Sequence, residues 1–254
     1  MGLTSPTVGI IGGTNGMGAW FADQLESLKI KVHRVGRKTK ISPRQVPEIC
    51  DVIVISVPIA DTINMIEDIA PLVPEKKVLM DLTSTKKEPV EAMLKFSKCE
   101  VVGVHPLFGP NETSKDRIIA ICHGRGEKGV EWITEVFKKA QIKTKIMSPK
   151  DHDRMMGLIQ GVNHFHTLAL AYCIKNSGFE FEEIKQYSTM TFKRRLDRIT
   201  ALVNQPSELF GSLLMDNVEA FEFIDLYKKS VEKILPIIYN RDKEGFQKFF
   251  ESLK

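Results

Sequence analysis

Through the first part of the chain, short β-branched runs alternate with stretches in which apolar residues recur every three or four positions. Residues 7–11 form the first run. A helical pattern follows over 16–29, with Trp20, Phe21, Leu25 and Leu28 on one stripe. Residues 31–35 predict a second strand. Residues 51–57 (DVIVISV) are apolar almost throughout, as expected of a strand covered on both faces, and Pro58 closes them. Ile63, Ile66, Ile69 and Ala70 mark a helix, and residues 77–82 a further strand. Thr85-Lys86-Lys87-Glu88 has capping-box spacing and opens a helix through Leu94. Strands over 101–104, 117–122 and 142–147, with a helix over 130–140, complete the series. Strands alternating with helices predict an α/β domain on a doubly wound parallel sheet.

After Ser148 the pattern changes. Ser148-Pro149-Lys150-Asp151 offers an N-cap, a proline at the first helical position and an acid at the third. From there the chain reads as helical, with breaks near Gly178 and Pro206. The expected division is a dinucleotide-binding domain over 1–148 and an all-helical domain over 149–254. The helical part is apolar at Leu209, Leu213, Leu214, Val218, Phe221, Ile224, Val231, Ile234, Leu235 and Ile238. A stripe that broad on so few helices predicts a partner surface, most simply a homodimer.

Composition narrows the function classes. The 254 residues are 43% hydrophobic and 27% charged, and the net charge of +4 comes from basic residues scattered among acids. Nucleic acid is therefore not an expected partner. No apolar run is long enough for a transmembrane helix, and the stretch from Met1 to Pro6 has no signal-peptide features. Cys50, Cys99, Cys122 and Cys173 lie far apart without a Cys-x-x-Cys pair, so packed, reduced thiols and a cytoplasmic location are expected, with no metal site.

Candidate chemistry gathers at the carboxyl ends of the predicted strands, where open α/β sheets bind ligands. Gly12-Gly13-Thr14-Asn15-Gly16-Met17-Gly18 follows a strand and opens a helix, the setting in which backbone N–H groups hold a pyrophosphate. Gly13 and Gly18 match G-x-G-x-x-G, while Asn15 stands at the middle position, where its tolerance of positive φ would preserve the turn. The bland alternative is a tight strand–helix turn. The second strand ends in His33-Arg34-Val35-Gly36-Arg37-Lys38, without the acid that bonds the ribose of NAD, so NADP is favoured over NAD, with Arg37 toward the extra phosphate. Ser56-Val57-Pro58 ends another strand on the same side.

The run Val101-Val102-Gly103-Val104 leads into His105-Pro106, and Pro106, lacking an N–H, is expected to stop the ladder. His105 is then placed as a general base or as a structural histidine. Ser84 either hydrogen-bonds a substrate hydroxyl or the imidazole, or only caps the next helix, although Thr85 is available for that. Asp81 is read as fixing the strand–helix turn rather than as a catalytic group. In the helical part, His152 is expected to be exposed near a helix start. His164 and His166, two apart, face different sides and cannot form a helical metal pair. Arg194 and Arg198 share a face and can clamp a carboxylate, or else form a solvated basic face, the reading preferred for Arg194.

Together these motifs resemble the prephenate dehydrogenase family of tyrosine biosynthesis. The resemblance rests on the glycine loop, Ile55-Ser56-Val57-Pro58, Asp81-Leu82-Thr83-Ser84-Thr85-Lys86, His105-Pro106-Leu107-Phe108-Gly109-Pro110, Asp151-His152-Asp153, Arg198-Ile199 and Asn204-Gln205-Pro206. It implies NAD(P)-dependent oxidative decarboxylation of prephenate to 4-hydroxyphenylpyruvate. His105 matches the family's catalytic histidine, Ser84 a serine near the ring hydroxyl and Arg198 an arginine that binds a substrate carboxylate. His164 falls near a second, substrate-side histidine. Arogenate is the alternative substrate, and a non-catalytic NADP-binding regulator is the alternative of another class.

Overall fold

The computed structural model describes residue 3 and residues 5–254, apart from the side chain of Leu209. Met1, Gly2 and Thr4, within the stretch inspected for leader features, and the Leu209 position of the apolar stripe lie outside the described residues. The chain forms two compact units, Met1–Asp153 and Arg154–Lys254.

The first unit runs β1 (Val8–Ile11), α1 (Gly16–Ser27), β2 (Val32–Val35), α2 (Val46–Ile49), β3 (Val52–Ile55), α3 (Ile59–Ile69), β4 (Val78–Asp81) and α4 (Lys87–Phe96). It continues with β5 (Glu100–Pro106), β6 (Ile118–Arg125), α5 (Lys128–Lys139), β7 (Lys143–Met147) and the start of α6 (Pro149–Met156). The strands make one seven-stranded sheet in the order β2-β1-β3-β4-β5-β6-β7. Alternation of side chains explains why the runs are apolar at nearly every position. Val8, Ile10, Val52, Val54, Met80 and Val104 pack with Phe21 and Leu25 of α1 and Phe137 of α5. Ile11, Ile53, Ile55, Leu79 and Val101 pack on the other face with Ile66 and Ile69 of α3 and Met93 of α4.

The sheet is parallel from β2 through β5, but β6 runs antiparallel to β5, and β7 is parallel to β6. A parallel neighbour needs a crossover of about a dozen residues or more, usually a helix. The link from Leu107 to Arg117 has no helical pattern, so the chain turns back instead.

Pro106 does not end its strand. β5 continues through it, with His105 paired to Ala120 and Pro106 to Ile119, and the Leu107 N–H donates to the Ile118 carbonyl at 2.9 Å. Successive residues point their N–H groups to opposite neighbours. The missing N–H of Pro106 therefore falls on the side of β4, which has already ended with Asp81 opposite Gly103. His105 thus extends past the carboxyl end of β4 while still held by β6.

The remainder of α6 opens the second unit, followed by a π-helical turn (Gly157–Val162), α7 (Asn163–Lys175), α8 (Phe181–Tyr187), α9 (Met190–Val203), α10 (Ser207–Met215), α11 (Glu219–Tyr239) and α12 (Lys243–Glu251). Gly178, at φ +81°, separates α7 from α8, and Pro206 precedes α10. A Cβ on Gly157 would lie 2.9 Å from the Glu219 carbonyl oxygen and one on Gly161 2.8 Å from the Ala220 Cβ, so these glycines let α11 approach. Leu196, Ile199, Leu213 and Ala220 are buried, but Phe221, Leu226, Val231, Leu235 and Ile238 are exposed. Among the described residues, no helix is long and apolar enough to cross a membrane.

Candidate active site

The glycine loop is shaped by close backbone approaches. Gly12 has φ +86°, and a Cβ there would sit 2.0 Å from the Ser56 carbonyl oxygen; one on Gly18 would sit 2.4 Å from the Gly12 carbonyl oxygen. Positive φ falls on Gly12 and Gly16, whereas Asn15 is extended at φ −143°. The tolerance of Asn15 for left-handed backbone is therefore not what preserves the turn, because the glycines on either side absorb the strain. Asn15 is the N-cap of α1 without a side-chain cap bond, which leaves the first-turn N–H groups and the positive end of the helix dipole for an anion. A close-approach cradle with uncapped donors fits a dinucleotide pyrophosphate.

Ser56 meets this loop directly, and its N–H donates to the Ile11 carbonyl at 2.8 Å. Val57 is half-buried and Pro58 exposed at the start of α3. Thr14 lies against Gly36, whose Cβ would be 2.6 Å from the Thr14 Oγ1. Beyond Gly36, Arg37 and Lys38 are exposed, while Arg34 is engaged by Asp23 at 2.6 Å and by Glu26. Of the basic residues at the end of β2 and just beyond it, Arg37, Lys38 and Lys40 are exposed and available to a phosphate.

A buried polar cluster stands at the carboxyl end of β4 and β5. His105 is 3% exposed, and its Nδ1 lies 2.9 Å from Nε2 of His152. His152, fully buried, places its own Nδ1 2.7 Å from Oδ1 of Asp153. Asp153 in turn accepts the Lys86 N–H at 2.7 Å and the Lys87 N–H at 2.8 Å. Burial, with His152 and Lys86 nearby, holds His105 well below the ordinary histidine pKa. Burial also lowers His152, opposed by its bond to Asp153. Both rings are therefore neutral near neutral pH.

Two expectations are corrected by this cluster. His152 is not exposed: the first turn of α6, capped by Ser148 Oγ accepting the Asp151 N–H at 3.0 Å, turns His152 inward against His105. Nor does Thr85 cap the helix after β4. α4 begins at Lys87, and its first N–H groups go to Asp153, because a carboxylate is the stronger acceptor at a helix N-terminus. Ser84, half-buried in the same turn, is likewise not the cap.

Lys86 is also fully buried. Its ammonium pairs with Asp81 and donates to the Val104 carbonyl at 3.0 Å. Asp81 accepts the Thr83 N–H at 3.0 Å, so it does fix the strand–helix turn. Gly103 makes room for this pair: a Cβ there would meet the Lys86 Cδ at 3.0 Å. Neither the role of His152-Asp153 nor the burial of Lys86 was readable from spacing, since His105 meets His152 from 47 positions away and Asp153 meets the Lys86 N–H from 67.

In the second unit, His164 stacks edge-on against Phe210 at 5.0 Å, and burial lowers its pKa. His166 faces elsewhere, its Nδ1 2.6 Å from the Tyr227 hydroxyl and its Nε2 3.3 Å from Arg195. Arg198 lines a cavity of about 310 Å³ together with Arg195, His166 and Asn163. Arg195, not Arg194, is the arginine that shares this cavity with Arg198. Among the described residues, no group of three His, Cys, Asp or Glu side chains is arranged to hold a metal ion.

A doubly wound sheet with a glycine loop, followed by a helical unit, defines the class of dinucleotide-binding proteins of dehydrogenase architecture. The model of the prephenate dehydrogenase nucleotide-binding domain matches residues 24–141, starting downstream of the glycine loop, and that of the prephenate dehydrogenase dimerization domain matches 148–252. The probable arogenate/prephenate dehydrogenase of Methanocaldococcus jannaschii is 30% identical over 98% of this chain and 60% of its own length. The T-protein of Haemophilus influenzae is 28% identical over 96% of this chain and 65% of its own. The chain thus spans 60–65% of the length of these two relatives. Among solved structures, prephenate dehydrogenase from A. aeolicus, in complex with hydroxyphenyl propionate and NAD+, aligns with a TM-score of 0.77 at 17% identity, covering 99% of this chain and 96% of that one. Synechocystis arogenate dehydrogenase aligns with a TM-score of 0.75 at 14% identity, covering 97% and 96%. At such identities the likeness is one of fold. The chain belongs to the prephenate dehydrogenase family.

Proposed function

We propose that this chain carries out the oxidative decarboxylation of prephenate to 4-hydroxyphenylpyruvate with a nicotinamide cofactor. The observation that carries the reading is His105: buried past the end of β4, with Nδ1 taken by His152 and Nε2 without a protein partner among the described residues. A neutral imidazole with one ring nitrogen left is a general base. His105 takes the proton of the ring hydroxyl, which Ser84 orients. A nicotinamide cofactor held at the glycine loop would supply the acceptor for the hydride of the ring carbon. The ring carbonyl so formed draws in the electrons of the carboxylate bond, carbon dioxide leaves, and the phenolate oxygen recovers the proton from His105. Arg198 binds a substrate carboxylate, and His164 supplies a neutral polar contact to the substrate.

In this reading residues 1–148 bind the cofactor and 149–254 carry substrate contacts and a homodimer interface. Gly12, Gly13, Thr14, Asn15, Gly16, Met17 and Gly18 hold the pyrophosphate, and Ser56, Val57 and Pro58 border it. NADP is preferred over NAD, with Arg37 on the added phosphate; the exposure of Arg37 and the absence of an acid after β2 support this. Four free cysteines support a reducing, cytoplasmic compartment. The name of the M. jannaschii relative supports arogenate as the second reading. The test is nicotinamide reduction by the purified protein with prephenate or arogenate, each with NAD or NADP. Fastest turnover of prephenate with NADP is expected. Faster turnover of arogenate transfers the assignment to that substrate, and no turnover in any combination overturns the catalytic reading.

A further inference from the structure

Hydrogen accounting through the buried cluster gives one answer. Both oxygens of the Asp153 carboxylate already accept backbone N–H groups, Oδ1 from Lys86 and Oδ2 from Lys87. An ionised carboxylate only accepts, so the His152 Nδ1 facing it carries a proton. In a neutral ring the other nitrogen, Nε2, is then an acceptor. The His105 Nδ1 that faces it must be the donor, which leaves the His105 Nε2 as an unprotonated lone pair.

We propose that His152 and Asp153 are positioning residues that fix the tautomer of His105, so that its Nε2 is always the free base. The proposal rests on the reading of His105 as the proton acceptor, but its tautomer is readable without substrate. Asp153 has a second duty in the same act. By capping α4 it ties the orientation of the base to the β4–α4 turn that carries Ser84, so base and hydroxyl are set by one carboxylate. When His105 takes a proton at Nε2, the Nδ1–H···Nε2 bond to His152, backed by Asp153, offsets the new buried charge.

Asp153→Asn tests this directly. The amide nitrogen can only donate: placed toward His152 it reverses both hydrogen bonds and puts the proton on the His105 Nε2, whereas placed toward the Lys87 N–H it uncaps α4 and keeps the native tautomer, and the spectra tell the two apart. A comparable wrong-tautomer substitution in serine proteases costs about 10⁴ in kcat. Here a loss of about 10²–10⁴ in kcat is expected with KM and NADP affinity nearly unchanged. Long-range ¹H–¹⁵N correlation spectra should show His105 protonated at Nδ1 in the native chain and at Nε2 in the variant. His152→Gln, whose amide oxygen can still accept from the His105 Nδ1, should keep the native tautomer and lose far less activity than His152→Leu. A proton on the native His105 Nε2 overturns the proposal. So does Asp153→Asn with a switched His105 tautomer and kcat within about twofold of native. If that variant does not fold or keeps the native tautomer, equal kcat for His152→Gln and His152→Leu overturns it instead. A switched tautomer in a chain that turns over neither substrate leaves the relay standing and removes the functional reading.

Discussion

The two units bury their residues in opposite ways. In the first, Ile53, Val54 and Ile55 have no exposed surface, and polar side chains inside it concentrate at one place, where Asp81, Thr83, Lys86, His105, His152 and Asp153 meet. In the second, Leu226 is 56% and Ile238 53% exposed on α11, although the helix is apolar over much of its length. A sheet covered on both faces can complete its core within one chain, and polar groups stay inside only where they are paired. A few helices with broad apolar faces cannot do so alone. The first unit therefore closes its core around one polar cluster, and the second leaves an apolar face exposed.

The sharpest break of this contrast is His105→Asn. A loss of about 10²–10⁴ in kcat is expected, with NADP affinity and melting temperature near native, measured by steady-state kinetics and calorimetry. Full turnover would make the buried cluster structural rather than chemical. Next in size is Lys86→Met. Removing one partner of a buried ion pair costs about 3–5 kcal/mol, because the Asp81 carboxylate loses its counter-cation and keeps only its Thr83 donors. The paired change Lys86→Met with Asp81→Leu should recover most of that loss in urea unfolding, and no recovery would deny the coupling.

For the second unit, Leu226→Glu with Ile238→Glu should yield monomers at micromolar concentration in sedimentation velocity while helix content by circular dichroism is unchanged. A dimer that survives both substitutions would place the partner surface elsewhere. The smallest effect concerns acid. His105 and His152 have folded pKa values below the ordinary 6.5, so the unfolded chain binds more protons as pH falls through that value. Their contribution to stability is full above about pH 6.5 and is lost below it. Urea midpoints should be level from about pH 8 to 7 and decline toward pH 5, and a midpoint that rises on acidification would contradict neutral buried rings.

Much of the sheet was legible because each strand is a short β-branched run and each helix has its own period. The seven runs are the seven strands. The antiparallel turn at β6 was not read from its run, since strand direction depends on the connection, and the link from Leu107 to Arg117 carries no helix. Pro106 departs from the expected strand end for a related reason. A missing N–H stops a ladder only if a neighbour is present on that side. At the glycine loop, the positions that matter were visible as glycines, but which of them take positive φ depended on how close Ser56 comes to Gly12.

His105 and the glycine loop could be picked out from residues next to them: a strand run, a proline, a helix start. His152 and Asp153 could not, although Asp151-His152-Asp153 was among the matching motifs. A polar first helical turn looks solvated until something is packed over it. By itself the sequence determined the alternating elements, the change of character after Ser148 and the histidine at the sheet's carboxyl edge, because each depends on local period and on neighbours in the chain. Only the tertiary structure decided that Asp153 caps α4, that His152 stands between it and His105, and that one lysine is buried beneath them. The contacts of Val104 with Lys86, His105 with His152 and Lys86 with Asp153 join residues 18, 47 and 67 positions apart, and hydrogen-bond direction is set only when they come within about 3 Å.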